Sequence, residues 1–515
     1  MKIILTFLII MHLGFSGLFA QSIGIGTPSP DASAILDVTS SSQGFLPPRM
    51  TTSQRNAITN KAAGLVIYNT VSACIEMFNG SNWINFCSSL PSSVLVRTLL
   101  GGNQNDVSNH IQQTNDGGYI IGGSTESSIN GDVTQINKGG TDCWVIKINA
   151  TGTIEWDRVL GGTGFEEIKQ IRQTADGGYI FCAITESSLS GDVNRINRGG
   201  FDNWIVKLNA AGDTTWTALL GGDQPDFASA IQQTSDGGYI VGGYSFSSQS
   251  FAVSDITNGL SDFWVVKLTA TGVVQWNNLV GGAGEEELYS LRQTPDGGYI
   301  AAGSTTSSVS GNVTGSINGL FDFWVIKLNS SGAPVWNKLI GGDQEQRARS
   351  IELTADGGYI VAGRSTSSAS GNITGTNKGL IDFLVAKLDA AGNIGWTKLL
   401  GGSAEETAFS VQQTVDGGYI LAGTTSSSAS GDITQPSYGL EDVWVVKLDG
   451  TGNISWQKLF GGNNSDHATS VRQTTDGGYI VSGYTLSSAN GSVIGTNQGG
   501  NDFWIIKLDS LGNIL

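Results

Sequence analysis

The chain has 515 residues, and its 27 basic against 44 acidic residues leave a net charge near −17. That balance argues against nucleic acid or an anionic membrane surface as partner, because both call for a basic footprint. Glycine at 73 residues, with few charged side chains, suits the tight turns of an all-β exported protein.

Residues 1–20 carry Lys2, then an apolar run from Ile3 to Phe19, then Ala20 before Gln21. A short apolar core closed by a small residue predicts a secretory signal peptide cut after Ala20, with no membrane insertion of the mature chain and an extracellular or cell-surface destination. No Cys follows the cut, so no lipid anchor is expected there.

Residues 21–90 differ in kind from the rest of the chain and form a small N-terminal module, carrying Pro28, Pro30, Pro47 and Pro48. Cys74 and Cys87 flank a hairpin whose turn falls at Gly80-Ser81, with Gly first as a type II′ turn requires. That register sets 78 against 83 and 74 against 87, so a Cys74–Cys87 disulfide is expected in an oxidising compartment. Cys143 and Cys182 have no matching partner spacing and read as buried apolar side chains.

From residue 91 to 515 one unit is written seven times: DGGYI recurs with its Asp at 116, 176, 236, 296, 356, 416 and 476, always sixty residues apart. A Trp recurs at 144, 204, 264, 324, 444 and 504, with Leu384 in the fifth copy, and a second at 156, 216, 276, 336, 396 and 456. Within a unit, short β-branched and aromatic runs alternate with Gly, Asn, Asp and Ser. The first unit reads as strands at 108–114, 119–125, 143–149 and 153–160. Four strands per unit and an uninterrupted period predict a seven-bladed β-propeller. Residues 94–100 match the fourth strand of every other unit, while the last unit stops short of its own. The N-terminal strand is therefore expected to complete the last blade and close the ring, leaving no exposed sheet edge.

The pattern from "W..LLGG" through "IQQT.DGGYI..G" to "D.WVVKL...G" resembles the bacterial seven-bladed β-propeller repeat of secreted proteins. The resemblance covers about four fifths of the chain; it implies architecture and export, and carries over no catalytic residue. The strings GIGTPSPDASAILDV, GFLPPRMT, GLVIYN and FNGSNWINFC resemble a segment at the N-termini of bacterial surface and phage-tail-fibre-like proteins, which implies an oligomerising stalk.

Topology sorts the loops. The connections from fourth to first strand and the long ones from second to third strand share one face, and that long-loop face is the expected binding surface. Its candidates are acidic: Asp106, Glu166, Asp226, Glu286, Glu406 and Asp466 at the entrance of the first strand, with Gln346 breaking the series, and Asp142, Asp202, Asp262, Asp322, Asp382, Asp442 and Asp502 at the entrance of the third. Converging carboxylates could hold Ca²⁺, and no other cofactor is expected. The preferred reading is that each Asp accepts backbone N–H bonds and fixes its loop. On the opposite face Lys147 and its six equivalents are expected to pair with Asp116 and its equivalents. Tyr119 and its equivalents read as inter-blade packing residues.

After signal removal only His110 and His467 remain, at different positions of the repeat, so no histidine cluster is expected. The expected function is non-catalytic binding or adhesion toward a glycan or protein ligand. The alternative is a polysaccharide-acting enzyme using carboxylates of the long-loop face. An enzyme calls for one pocket lined by non-repeated residues, a scaffold for seven near-equivalent sites.

Overall fold

The computed structural model describes residues 23–25, 36–40, 42, 45–71, 74–80, 83–85 and 97–515. The expected signal peptide and Cys87 lie outside the described residues. Two compact units divide the chain, Met1–Ser93 and Val94–Leu515. Among the described residues no helix is long and apolar enough to cross a membrane.

In the first unit Ile23–Ile25 pairs in parallel with Leu36–Val38. Arg49–Met50, Leu65–Asn69, Cys74–Phe78 and Trp83–Asn85 form a four-stranded sheet in that order. The short helix Thr52–Asn56 starts at a capping box in which the Thr51 hydroxyl and the Gln54 side chain each accept the other's backbone N–H. Arg55 reaches from it to the buried Glu76 at 2.6 Å, and the Asn69 amide donates to the same carboxylate, so that charge is paired. The hairpin sets Phe78 opposite Trp83 and Glu76 opposite Asn85, the expected register, and Gly80 takes φ +103 at its turn. Cys74 is buried.

The second unit is all β. Asp106–Gln113, Tyr119–Thr125, Asp142–Ile148 and Ile154–Leu160 form one antiparallel four-stranded sheet, and the pattern recurs every sixty residues to give seven such sheets. The last is made from Asp466–Gln473, Tyr479–Thr485 and Asp502–Leu508, with Arg97–Leu100 as its fourth strand. Phe503 lies opposite Leu100 and Trp504 opposite Leu99. Ile111 and Trp144 of the first sheet share a core with Ile480 and Phe503 of the last, and the Trp144 and Phe503 rings sit 4.7 Å apart. The Thr469 hydroxyl donates to the Ser108 carbonyl across the same joint. The seven sheets therefore close into a ring, the expected propeller.

Its core lies between sheets. Every third strand is buried along its whole length because neighbouring sheets cover both faces. The first Trp set is at most 1% exposed. The second set is half-buried and packs on the Tyr of the next sheet, from Trp156 on Tyr179 at 5.6 Å to Trp456 on Tyr479 at 5.7 Å. Cys143 and Cys182 are buried free thiols, and burial pushes the Cys182 thiol up to about 12.

The DGGYI hairpins pin the face opposite the long loops. Lys147, Lys207, Lys267, Lys327, Lys387, Lys447 and Lys507 each reach the Asp of the hairpin in their own sheet at 2.8 to 3.0 Å. Within the first of them Asp116 also accepts the Thr114 hydroxyl and the Gly118 N–H. Gly117 takes φ +84 beside it, a conformation that disfavours a side chain.

Candidate functional site at the channel mouth

The ends near Asp106, Thr125, Asp142 and Leu160 lie together, since these residues are register partners across the first sheet, and the long loops leave from that end. The acidic residues of this face do not meet solvent. They are at most 2% exposed and meet across the joints between sheets as Asp502 with Asp106, Asp142 with Glu166, Asp202 with Asp226, Asp262 with Glu286, Asp382 with Glu406 and Asp442 with Asp466. In the seventh joint Asp322 meets Gln346. The expectation of a carboxylate-lined binding surface is corrected accordingly: these groups are internal loop clamps.

Each joint is built alike. Glu166 accepts the Gly162 N–H at 2.7 Å and the Thr185 hydroxyl at 2.5 Å, while Asp142 takes the Lys138 N–H on Oδ2 at 2.6 Å. The other oxygen, Oδ1 of Asp142, Asp202, Asp262, Asp322, Asp382, Asp442 and Asp502, is buried without a donor. Burial, with the neighbouring carboxylate adding to it, raises Asp142 and Asp262 to about 6 and Asp202 and Asp502 to about 7. A proton is thus retained at these joints well above the usual carboxylate range. Gln346 fits the series, being a neutral amide in a slot where charge is costly. Among the described residues no three His, Cys, Asp or Glu side chains group as a metal set.

Glycine at 161 is required by this clamp. A Cβ there would stand 2.2 Å from Asp142 Oδ1 and 2.6 Å from Glu166 Oε2. Gly161→Ala is expected to cost about 1–3 kcal/mol in a urea unfolding titration, as overpacking in a site that cannot yield.

The first strands of the seven sheets line the central channel, and here the repeat stops repeating. Each strand carries a bulge, between Ser108 and His110 in the first sheet and at the equivalent place in the other six. A bulge leaves one residue unpaired and re-aims it. The residues so placed are Asn109, Lys169, Ser229, Tyr289, Arg349, Phe409 and Thr469, and all seven line the channel. The slot near the rim is equally varied: Val107, Glu167, Phe227, Glu287, Arg347, Thr407 and His467.

The seven bulge residues, with Val107, Glu167, Phe227 and His467 of the rim slot, line a cavity of about 510 Å³ opening on the long-loop face. One wall is aromatic. Phe227 stacks on Tyr244 at 5.0 Å, Phe246 meets Tyr244 edge-on at 6.1 Å, and Tyr289 stands 6.3 Å from Tyr244. The next sector is charged: Arg347 bonds Glu287 and Glu345 at 2.7 Å each and lies over Phe321, while Arg349 lies 4.2 Å over the Tyr289 ring. On the far side His467 stacks on Tyr484 at 4.7 Å and faces Glu441 at 3.3 Å, with burial pulling its imidazole below its ordinary value. Long loops around this mouth expose aliphatic side chains, among them Leu260, Leu320, Leu380 and Leu440. Away from the mouth, Ile129 and Leu189 are exposed in the same long loops and held at φ +42 and +48, a strained choice for such residues.

Residues that recur are legible as a pattern, and they turn out to be the clamps. The mouth is made from residues that do not recur, and the signal that would have found it is variation at 107, 109 and their equivalents inside an otherwise strict period.

A family described as "Phage tail like trimerisation region" matches residues 24–105. The regulatory protein FlaEY of Caulobacter vibrioides is 25% identical over 420 residues, covering 72% of this chain and 42% of that protein. An uncharacterized WD repeat-containing protein of Acanthamoeba polyphaga mimivirus is 24% identical over 362 residues, covering 55% of this chain and 26% of its own length. The chain thus spans less than half the length of either relative. Among solved structures, the Neurospora crassa Pan2 WD40 domain is 12% identical with a TM-score of 0.42, covering 79% of this chain and 95% of that one.

Proposed function

We propose that this chain is an exported binding scaffold that docks a protein ligand on the long-loop face, at the mouth of the propeller channel. The carrying observation is asymmetry: seven near-identical sheets present seven different side chains at their bulges, and those side chains line one cavity with an aromatic wall, beside which Arg347 pairs with Glu287. Aromatic residues and arginine anchor protein interfaces because they bury much surface with few rotamers to freeze. Exposed aliphatic residues of the long loops, such as Leu260 and Leu320, add apolar area to the same face. Cell-surface adhesion is the setting this reading favours, with the N-terminal unit as the stalk and a Cys74–Cys87 disulfide as its staple.

The thirteen internal carboxylates are engaged in holding loops, which removes the support for chemistry by paired carboxylates of that face. The test is a binding screen of the mature chain against extracellular proteins and a glycan array, repeated with Phe227→Ala/Tyr244→Ala. A selective protein partner whose affinity drops at least about tenfold in the variant, and is unchanged by Val335→Ala on an outer strand, is the expected result. Selective glycan binding, glycan hydrolysis, or a partner indifferent to the mouth variant would overturn it.

A further inference from the structure

Below the mouth the channel narrows to a second cavity of about 110 Å³, lined by the first strands of all seven sheets. Its charged lining is Lys169, Arg292, Arg349 and Arg472, with no carboxylate among the lining residues. In a chain of net charge −17, four cations gathered around one small cavity run against the overall balance. Glu352 is the compensating carboxylate closest in chemistry. It forms a forked pair with Arg292 at 2.7 and 2.9 Å and approaches Arg472 at 3.5 Å. One carboxylate cannot neutralise both, and a third guanidinium, Arg172, adds to the excess.

Several donors here have nothing to donate to. Nε of Arg349 and the Ser470 hydroxyl, both in the lining, are buried without a hydrogen-bond partner, as is Nη2 of Arg172 outside it. Lys169 is paired with Glu167 at 2.7 Å, nearer the rim. Burial first, and then the charges of Arg292 and Arg472, pull the Arg172 guanidinium well below its ordinary value. Like charges at this separation repel strongly inside a protein, and unpaired buried donors forfeit their hydration. Both costs are relieved by one small anion.

We propose that this inner cavity is a binding site for a small inorganic oxyanion of phosphate or sulfate size, held by Arg349 and Arg472 and by the unpartnered Ser470 hydroxyl of the channel wall. Planar guanidinium forks match the oxygen edge of such an anion, and hydroxyls complete the remaining lone pairs. A cavity of about 110 Å³ admits an ion of that size and excludes a sugar ring. Arg472 lines this inner cavity and not the mouth above it, whereas Arg349 and the other bulge residues line both.

The experiment is equilibrium dialysis of the full mature chain with radiolabelled inorganic phosphate in low-salt, chloride-free buffer. Saturable binding of about one phosphate per chain is expected, competed by sulfate and not by chloride at equal ionic strength, and weakened at least about tenfold in Arg472→Gln. Thermal unfolding followed in parallel should show phosphate raising the midpoint of the unmodified chain with the same concentration dependence. No saturable binding by the unmodified chain, or binding that chloride displaces equally and Arg472→Gln leaves unchanged, overturns the site. Arg472→Gln leaves the mouth lining untouched, so protein docking is reported separately by the mouth variant.

Discussion

Stability of the propeller is expected to fall as pH rises from about 4 to about 8, the reverse of an ordinary acidic protein. The cause is the ring of joints. The folded-state values of Asp142, Asp262, Asp322, Asp382 and Asp442 rise to about 6, and those of Asp202 and Asp502 to about 7, burial being the largest contribution at each. In the unfolded chain the same groups titrate near 4. Between those limits the native state holds more protons than the unfolded chain, so the stabilisation is full below about pH 4 and is lost as pH climbs through 6 and 7.

A second sevenfold set acts in the opposite sense at lower pH. At Asp296 the Thr294 hydroxyl and then Lys327 outweigh burial and hold the carboxyl down at about 2, and Asp356 lies at about 2 with Lys387 first among its causes. Their contribution is present above about pH 4 and disappears as pH falls toward 2. Maximum stability is therefore expected between about pH 4 and 5, measurable as the midpoint of thermal unfolding across a pH series. Asp202→Asn tests the origin directly. It keeps an oxygen for the Arg198 N–H while removing the charge, and should raise the midpoint at pH 8 while leaving it nearly unchanged at pH 4.5. A flat profile from pH 4 to 8, or an Asp202→Asn variant destabilised at both pH values, would falsify the shared-proton joints.

Removal of the closing strand is the other large perturbation. A chain beginning at residue 94 retains Arg97–Leu100 and is expected to unfold cooperatively as a soluble monomer. One beginning at residue 101 loses it, and with it Leu100, which is 4% exposed, and Leu99, which packs on the final core. Burying two leucines is worth about 1.5–3 kcal/mol each, before the lost ladder bonds are counted. The midpoint should drop on the order of 5–10 °C. The strand left at the edge, Asp502–Leu508, is buried throughout and carries the apolar run Phe503–Ile506, so the shortened chain should also self-associate in sedimentation velocity. A shortened chain as stable and as monomeric as the longer one would show that the ring does not need this strand.

Legibility in the sequence tracks repetition. Gly, Asp and Trp returning every sixty residues dictate turns, clamps and an inter-sheet core, because each answers a backbone or packing demand that is the same in every sheet. Even the Lys147 to Asp116 pair can be read off, since strand order places both at one end of one sheet. Burial of the loop carboxylates could not, because the sequence shows that Asp142 and Glu166 lie near loop ends but not that the next sheet seals them in. Nor could the channel. Residues 109 and 110 read as alternating strand positions, yet the bulge between 108 and 110 brings both to the channel lining. Which side chains converge there is settled only when seven strands distant in sequence are drawn around one axis. A repeat specifies its own hydrogen bonds and hydrophobic faces locally, whereas a site at the centre of a ring draws one side chain from each repeat and exists only once the ring has closed.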